Sequence, residues 1–212
     1  MSTDLSKNIK PPVDNIIIKI ADYIVDYEIT SELAFKTAQY CLADSLGCAM
    51  LALTFKDCTQ LLGPWVSGMK IEHGSRVPGT SFELDPIKAA FDIGTLIRWL
   101  DYNDTWLAHE WGHPSDNLGG ILSVMDFVSR RQDVFPHATY TLHDVLDAMI
   151  RAYEIQGIFS LQNSFNTLGL DHVLLVKVAT TGIVTKLFGG TKEQIFAALT
   201  QAWIDGQALR TY

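Results

Sequence analysis

Residues 171–190 read DHVLLVKVATTGIVTKLFGG. Apolar side chains occur on nearly every face of a helix drawn through this segment, with Asp171 as a candidate N-terminal cap and Gly189-Gly190 as a stop. A helix that apolar has to be surrounded by others, which places it at the centre of an array. Its neighbours have the same periodicity. Toward the C-terminus, Thr191 and Gln194 form a capping box for a helix carrying Phe196, Leu199 and Trp203. Toward the N-terminus, Thr141 and Asp144 approximate another, ahead of Leu142, Val145, Leu146, Met149, Ile150 and Tyr153.

Further upstream, Asp14 caps a helix to Tyr27 through Ile17, Ile20 and Ile24, and a second begins near Thr30 or Ser31 and runs to about Leu53. The latter carries Ala34, Ala38, Cys41, Leu42, Ser45, Leu46 and Ala49 on one narrow face, which implies close helix contact. Gly63-Pro64 and residues 68–80 break the pattern, with a turn at Pro78-Gly79. Asp85-Pro86 reads as a cap followed by proline at the first helical position, for a helix ending just before Asp101. Ser115 reads as the cap of a helix to Arg130-Arg131. The expected fold is all-α, a compact multi-helix array of about seven helices with no hairpin and no internal repeat.

The chain has 212 residues, 48% of them hydrophobic, enough for one well-packed domain. No apolar run reaches the roughly 20 residues of a membrane span. The first residues, MSTDLSKNIKPP, have neither the hydrophobic stretch of a secretory signal nor the arginines of a transit peptide, so a cytoplasmic location is expected. A net charge of -8 without a basic cluster argues against nucleic acid as a partner. Cys41, Cys48 and Cys58 lack Cys-x-x-Cys spacing and read as reduced core thiols; no metal site is expected.

One connector stands apart. Residues 98–117, RWLDYNDTWLAHEWGHPSDN, crowd Asp101, Asp104, Glu110, His109 and His113 beside Trp99, Trp106 and Trp111. A loop satisfying only its own backbone does not need carboxylates and imidazoles against aromatic walls, an arrangement that shifts pKa values into a working range. His113 precedes the expected cap Ser115, and His172 follows the expected cap Asp171. Both would therefore stand at the positive end of a helix dipole, which disfavours imidazolium and leaves helix N–H groups to receive a carboxylate. His73, His137 and His143 read as solvated.

Residues 98–122, RWLDYNDTWLAHEWGHPSDNLGGIL, resemble the signature region of the MmgE/PrpD family. YEITSELAFKTAQYCLADSLGC (27–48), RVPGTSFELDPIKAAF (76–91), EIQGIFSLQNSFNTLGLDHVLLVKVAT (154–180) and AWIDGQALRTY (202–212) resemble it too, in the same order. The resemblance implies dehydration of 2-methylcitrate to 2-methyl-cis-aconitate in propionate breakdown, with no iron–sulfur cluster or other cofactor. It implies a homodimer acting on a small tricarboxylate. It also implies that residues 1–212 form an incomplete helical domain, with the remainder, a lysine-bearing motif and a second α/β domain following Tyr212. The piece alone is then expected to be inactive.

Asp101, Thr105, His113 and His172 match active-site positions of the family. The form of EWGHPSDN favours the dehydratases over the family's decarboxylases, while His109 departs from an expected alanine. Asp101, His113 and His172 are the catalytic candidates; Thr105, Asp104, Asn103 and Ser115 are the substrate-binding ones. A histidine would act at the leaving hydroxyl, Asp101 would orient or remove a proton, and Thr105 would hydrogen-bond a carboxylate. Arg98 and Arg210 are weaker candidates for carboxylate binding. Two alternatives stay open: citrate or cis-aconitate dehydration or decarboxylation by the same residues, and a non-catalytic helical module.

Overall fold

Helix α7, Val173–Leu187, runs through the middle of the molecule with Leu174, Leu175, Val178, Ala179 and Ile183 buried, as its apolar sequence demands. The computed structural model describes residues 11–206 and 208–210. The expectations placed on residues 1–10 and on continuation past Tyr212 lie outside the described residues. Around α7 pack α1 (Asn15–Asp26), α5 (Leu118–Arg130), α6 (Leu142–Gln162) and α8 (Lys192–Ile204), burying Ile20, Ile24, Ile121, Ile195 and Leu199 in one core. A second core joins α2 (Glu32–Ala52) and α4 (Pro86–Arg98) to the other side of α6, through Leu42, Ile93, Leu96, Leu118 and Met149. Burying each such side chain contributes about 1.5–3 kcal/mol.

Five of the expected caps are in place. Asp14, Ser31 and Asp85 accept from the first N–H groups of α1, α2 and α4, and both capping boxes are closed, at Thr141/Asp144 and Thr191/Gln194. The small-residue face of α2 packs on α4 and α6, as expected. Helices α4 and α5 approach closely at Gly119, where a Cβ would stand 2.5 Å from the Ala90 carbonyl oxygen, so only glycine fits. Arg151, on α6, is buried and fastens α1 by donating to the Tyr23 and Tyr27 carbonyls while paired with Asp147.

Three expectations change. Two short antiparallel ladders are present where none was expected: β1 (Ser75–Arg76) with β2 (Glu83–Leu84), and β3 (Trp106–Leu107) with β4 (Trp111–Gly112). Each is only two residues long, too short for a period-two pattern to show. A one-turn helix, α3 (Lys56–Thr59), follows α2, and the loop after it is tied to α4 by the buried pair Lys88 and Asp92, which also bond Leu61 and Gly63. Ser115 is not a cap. It lies within a 3-10 turn, Pro114–Asn117, with His113 at the cap position and α5 following from Leu118. At the other expected helix start, Asp171 caps through its carboxylate, which accepts from Val173, while His172 occupies the cap position itself.

Candidate active site

The dense connector folds as an arm that closes on α6 and α7. It leaves α4 at Asp101, whose φ of 53° is left-handed, a conformation that aspartate tolerates better than most side chains. The chain then forms the β3–β4 ladder and enters the 3-10 turn. At the root of this arm Arg98 reaches three partners: the side chains of Asp101 and Asn103, and Asp116 Oδ1 at 3.1 Å. Asp101 is thereby held although its side chain is 74% exposed. Arg98 is mostly buried, and its side chain serves the protein's own acids before any ligand.

His113 and His172 meet across this arm with ring centroids 6.0 Å apart. Asp101 Oδ1 stands 4.0 Å from His113 Nε2. His113 Nδ1 lies 2.8 Å from the backbone carbonyl oxygen of Asp104, and because a carbonyl only accepts, the neutral ring has its proton on Nδ1 and a bare Nε2 toward Asp101. Trp111 packs against His172 with ring centroids 4.5 Å apart and planes tilted by 38°, and it meets His113 edge-on. Arg210 lies over the Trp111 ring, 5.1 Å from its centroid. Gly112 makes the approach possible, since a Cβ there would fall 2.8 Å from Gln156 Nε2 and 3.2 Å from the His172 ring.

Electrostatics follows from burial. His172 is pushed below the ordinary imidazole range by desolvation, against Asp171 and with help from the neighbouring His113. Its Nδ1 is 3.1 Å from Asp171 Oδ1, an ion-pair distance without hydrogen-bond alignment, so that contact does not offset the burial. Desolvation also pushes the Asp116 carboxyl up to about 6, outweighing the attraction of Arg98 and His113. The distance to Arg98 alone would suggest the opposite direction; a carboxylate this enclosed is governed by the loss of water.

The other predicted residues fall into two groups. Thr105 is exposed on the arm, and His109 is exposed at its tip. Asn103 and Ser115 are buried and bonded to each other at 2.9 Å. Asp104 accepts from Tyr153 Oη and from the Ser115 N–H. All three are bonded within the protein, where they were expected to bind substrate, and Asp104 keeps a buried Oδ1 without a hydrogen-bond partner. The helix starts also differ from expectation: the Ser115 and Val173 N–H groups are taken by Asp104 and Asp171 and are not open to a ligand carboxylate. Glu110 is 1% exposed and accepts from the Asn166 N–H, a structural tie between the arm and the segment before α7.

Sequence reasoning passed over Asp116, Tyr153 and Gln156 as site residues. Gln156 accepts from Asn117, which accepts from Thr180, so a buried polar chain joins α6, the 3-10 turn and α7. A signal existed for α6: Tyr153, Gln156 and Ser160 follow Met149 at helical spacing, placing polar groups on a face that should be wholly apolar. Asp116 had no such signal, because its environment comes from Arg98 on another element.

The site combines one exposed carboxylate, Asp101, with the mostly buried rings of His113 and His172. Two apolar cavities flank Trp106, about 490 Å3 between α1 and α6 and about 360 Å3 between α2 and α6, and neither is lined by Asp101, His113 or His172. Among the described residues no group of three or more His, Cys, Asp or Glu is arranged to hold a metal ion, and no helix is long and apolar enough to cross a membrane. Cys41, Cys48 and Cys58 are free, with burial raising each thiol above its ordinary range.

The N-terminal domain model of the MmgE/PrpD family matches residues 18–212. The chain is 57% identical over 205 residues to the 2-methylcitrate dehydratase of Escherichia coli (strain K12), covering 97% of this chain and 42% of that protein. It is 55% identical over 212 residues to the enzyme of that name from Cupriavidus necator, covering 100% and 44%. With the mitochondrial 2-methylcitrate dehydratase of Yarrowia lipolytica it shares 49% over 213 residues, covering 100% and 41%. The chain therefore spans less than half the length of these relatives.

Proposed function

The chain belongs to the MmgE/PrpD family, and from that membership and the geometry of the arm we propose that it supplies the catalytic acid–base face of a 2-methylcitrate dehydratase. The observation that carries this reading is the approach of Asp101 and His113, from the two ends of the arm, to His172 at the start of α7, with the rings 6.0 Å apart and the carboxylate 4.0 Å from a bare imidazole nitrogen.

Dehydration of a hydroxy-tricarboxylate requires a base beside a carbon activated by a carboxylate, a group at the departing hydroxyl, and cations for the carboxylates. Nε2 of His113 takes the proton from carbon, and Asp101 stabilises the imidazolium that forms. His172, kept neutral by burial, hydrogen-bonds the hydroxyl as the C–O bond breaks and the double bond forms. The proton taken from carbon returns on the departing water. Thr105 hydrogen-bonds one carboxylate, and Arg210, over Trp111, offers positive charge to another. Arg98, Asn103, Asp104 and Ser115 hold these groups in place. The reaction needs no metal in this scheme.

The same reading includes a homodimer, a cytoplasmic location and no nucleic-acid partner, supported by the net charge of -8 and by the apolar surface beside Trp106. The remaining length of the relatives is part of the proposed enzyme.

The test is a steady-state assay with 2-methylcitrate, following the ultraviolet absorbance of the new double bond in a protein of the relatives' full length. Product analysis with citrate and cis-aconitate separates dehydration from decarboxylation. Turnover unaffected by EDTA is expected; loss with EDTA and recovery with iron or zinc would overturn the metal-free scheme. Sedimentation tests the dimer.

A further inference from the structure

Asp104 makes three contacts that converge on His113. Its backbone carbonyl receives the His113 Nδ1–H at 2.8 Å. Its Oδ2 receives the Tyr153 hydroxyl at 2.7 Å and the Ser115 N–H at 2.9 Å. Residues 104 and 113–115 thus close the base of the arm as a clamp, and Tyr153 is the only one of these contacts that anchors the clamp to α6. We propose that Tyr153 is a positioning residue, acting through Asp104 to hold the His113 imidazole with its proton on Nδ1 and its Nε2 bare.

The physical case rests on what each group can do. A carbonyl cannot donate, so the Asp104 oxygen selects one imidazole form as long as it stays aimed at Nδ1. Its aim depends on the Asp104 side chain: Asn103 before it is held by Arg98 and Ser115, Thr105 after it is exposed, and the Oδ2 contacts are what orient residue 104 itself. Oδ2 accepts from two donors on different elements, which fixes that carboxylate in direction as well as place. Tyr153 is suited to the donor role because burial and the adjacent carboxylate both oppose its ionisation. The helical spacing of Tyr153, Gln156 and Ser160 marks a polar stripe on the inner face of α6, but it does not say which partner the tyrosine meets. That bare Nε2 is the base rests on the function proposed above; the positioning itself does not.

The experiment uses the 212-residue chain labelled with 15N-histidine and long-range proton–nitrogen correlation spectra at about pH 8, above the ordinary imidazole range. His113 signals are assigned by their loss in His113→Gln. The wild type should show protonated Nδ1 and bare Nε2. Tyr153→Phe and Asp104→Ala should each reduce the Nδ1–H form to about half or less, with helical circular dichroism retained, whereas Asp104→Asn, which keeps an acceptor oxygen for both donors, should preserve the wild-type pattern. A wild-type ring protonated on Nε2, or an Asp104→Ala ring indistinguishable from wild type, overturns the proposal, and so does an unchanged ring in a folded Tyr153→Phe. If Tyr153→Phe loses its helical signal, the Asp104 variants decide. A full-length enzyme without dehydratase activity would defeat the proposed function yet leave this result standing.

Discussion

His113 and His172 present their rings to each other at an interplanar angle of 67°, one carried on the arm after α4 and the other on the start of α7. Neither helix alone could build the pair. The connector must leave α4, turn through the left-handed Asp101, and pass Gly112 across Gln156 before the two rings meet. The arrangement places a hydrogen-bonded imidazole beside a desolvated one, and two imidazoles in different environments can take different parts in one proton transfer.

Removing either end of the His113–Asp101 contact should disable the reaction without unfolding the protein. In an enzyme of the relatives' length, His113→Ala and Asp101→Asn are each expected to lower turnover by about 100-fold or more, the scale of a positioned acid–base group. Asp101 is exposed, so its replacement should leave the far-ultraviolet helical signal unchanged. Wild-type turnover in both variants would remove this pair from the mechanism.

Asp116 should make stability depend on pH in the direction opposite to an ordinary salt-bridged aspartate. Its carboxyl titrates near 6 in the folded chain against 3.8 as the reference, so the folded state holds the extra proton between those values. The stabilisation is complete below about 4 and is lost as pH rises through about 6, amounting to on the order of 2–3 kcal/mol. Asp116→Asn, which cannot ionise, should therefore gain stability relative to wild type between pH 4 and 7. Urea melts across that range check it, and parallel pH curves for the two proteins would contradict it.

His172 should remain neutral where a free imidazole has begun to charge, because burial lowers its folded pKa. The unfolded chain then binds the extra proton, so this residue's contribution is present above about 6.5 and is lost as pH falls. Proton NMR titration of the His172 ring, assigned through His172→Gln, is expected to show a midpoint below 6.5; a midpoint above it would mean that Asp171 outweighs desolvation.

Gly112→Ala tests the passage between α6 and α7. The new Cβ would meet the Gln156 amide and the His172 ring, so the strand must shift or the ring must turn. A loss of about 1–3 kcal/mol is expected, the usual range for forcing a methyl into a packed site, together with a displaced His172 resonance. A melting curve and a histidine spectrum that both match wild type would show that the arm has more freedom than its packing indicates.

The helical architecture was legible in the residues. Capping boxes at Thr141 and Thr191, the Asp85-Pro86 start and the apolar run after Asp171 are local codes: a cap acts within one turn and an amphipathic face repeats every three or four residues, so both are written in neighbouring positions. The density of acids, imidazoles and indoles between residues 98 and 117 likewise singled out the arm. What the tertiary structure alone decided is which of those groups face one another. Ser115 became an internal member of a 3-10 turn, Asn103 and Ser115 turned inward to each other, and Arg98 became the common partner of Asp101, Asn103 and Asp116. The raised Asp116, the neutral His172 and the Tyr153–Asp104 contact depend on desolvation and on partners from other helices, and these are set by distance in space, which spacing along the chain does not encode.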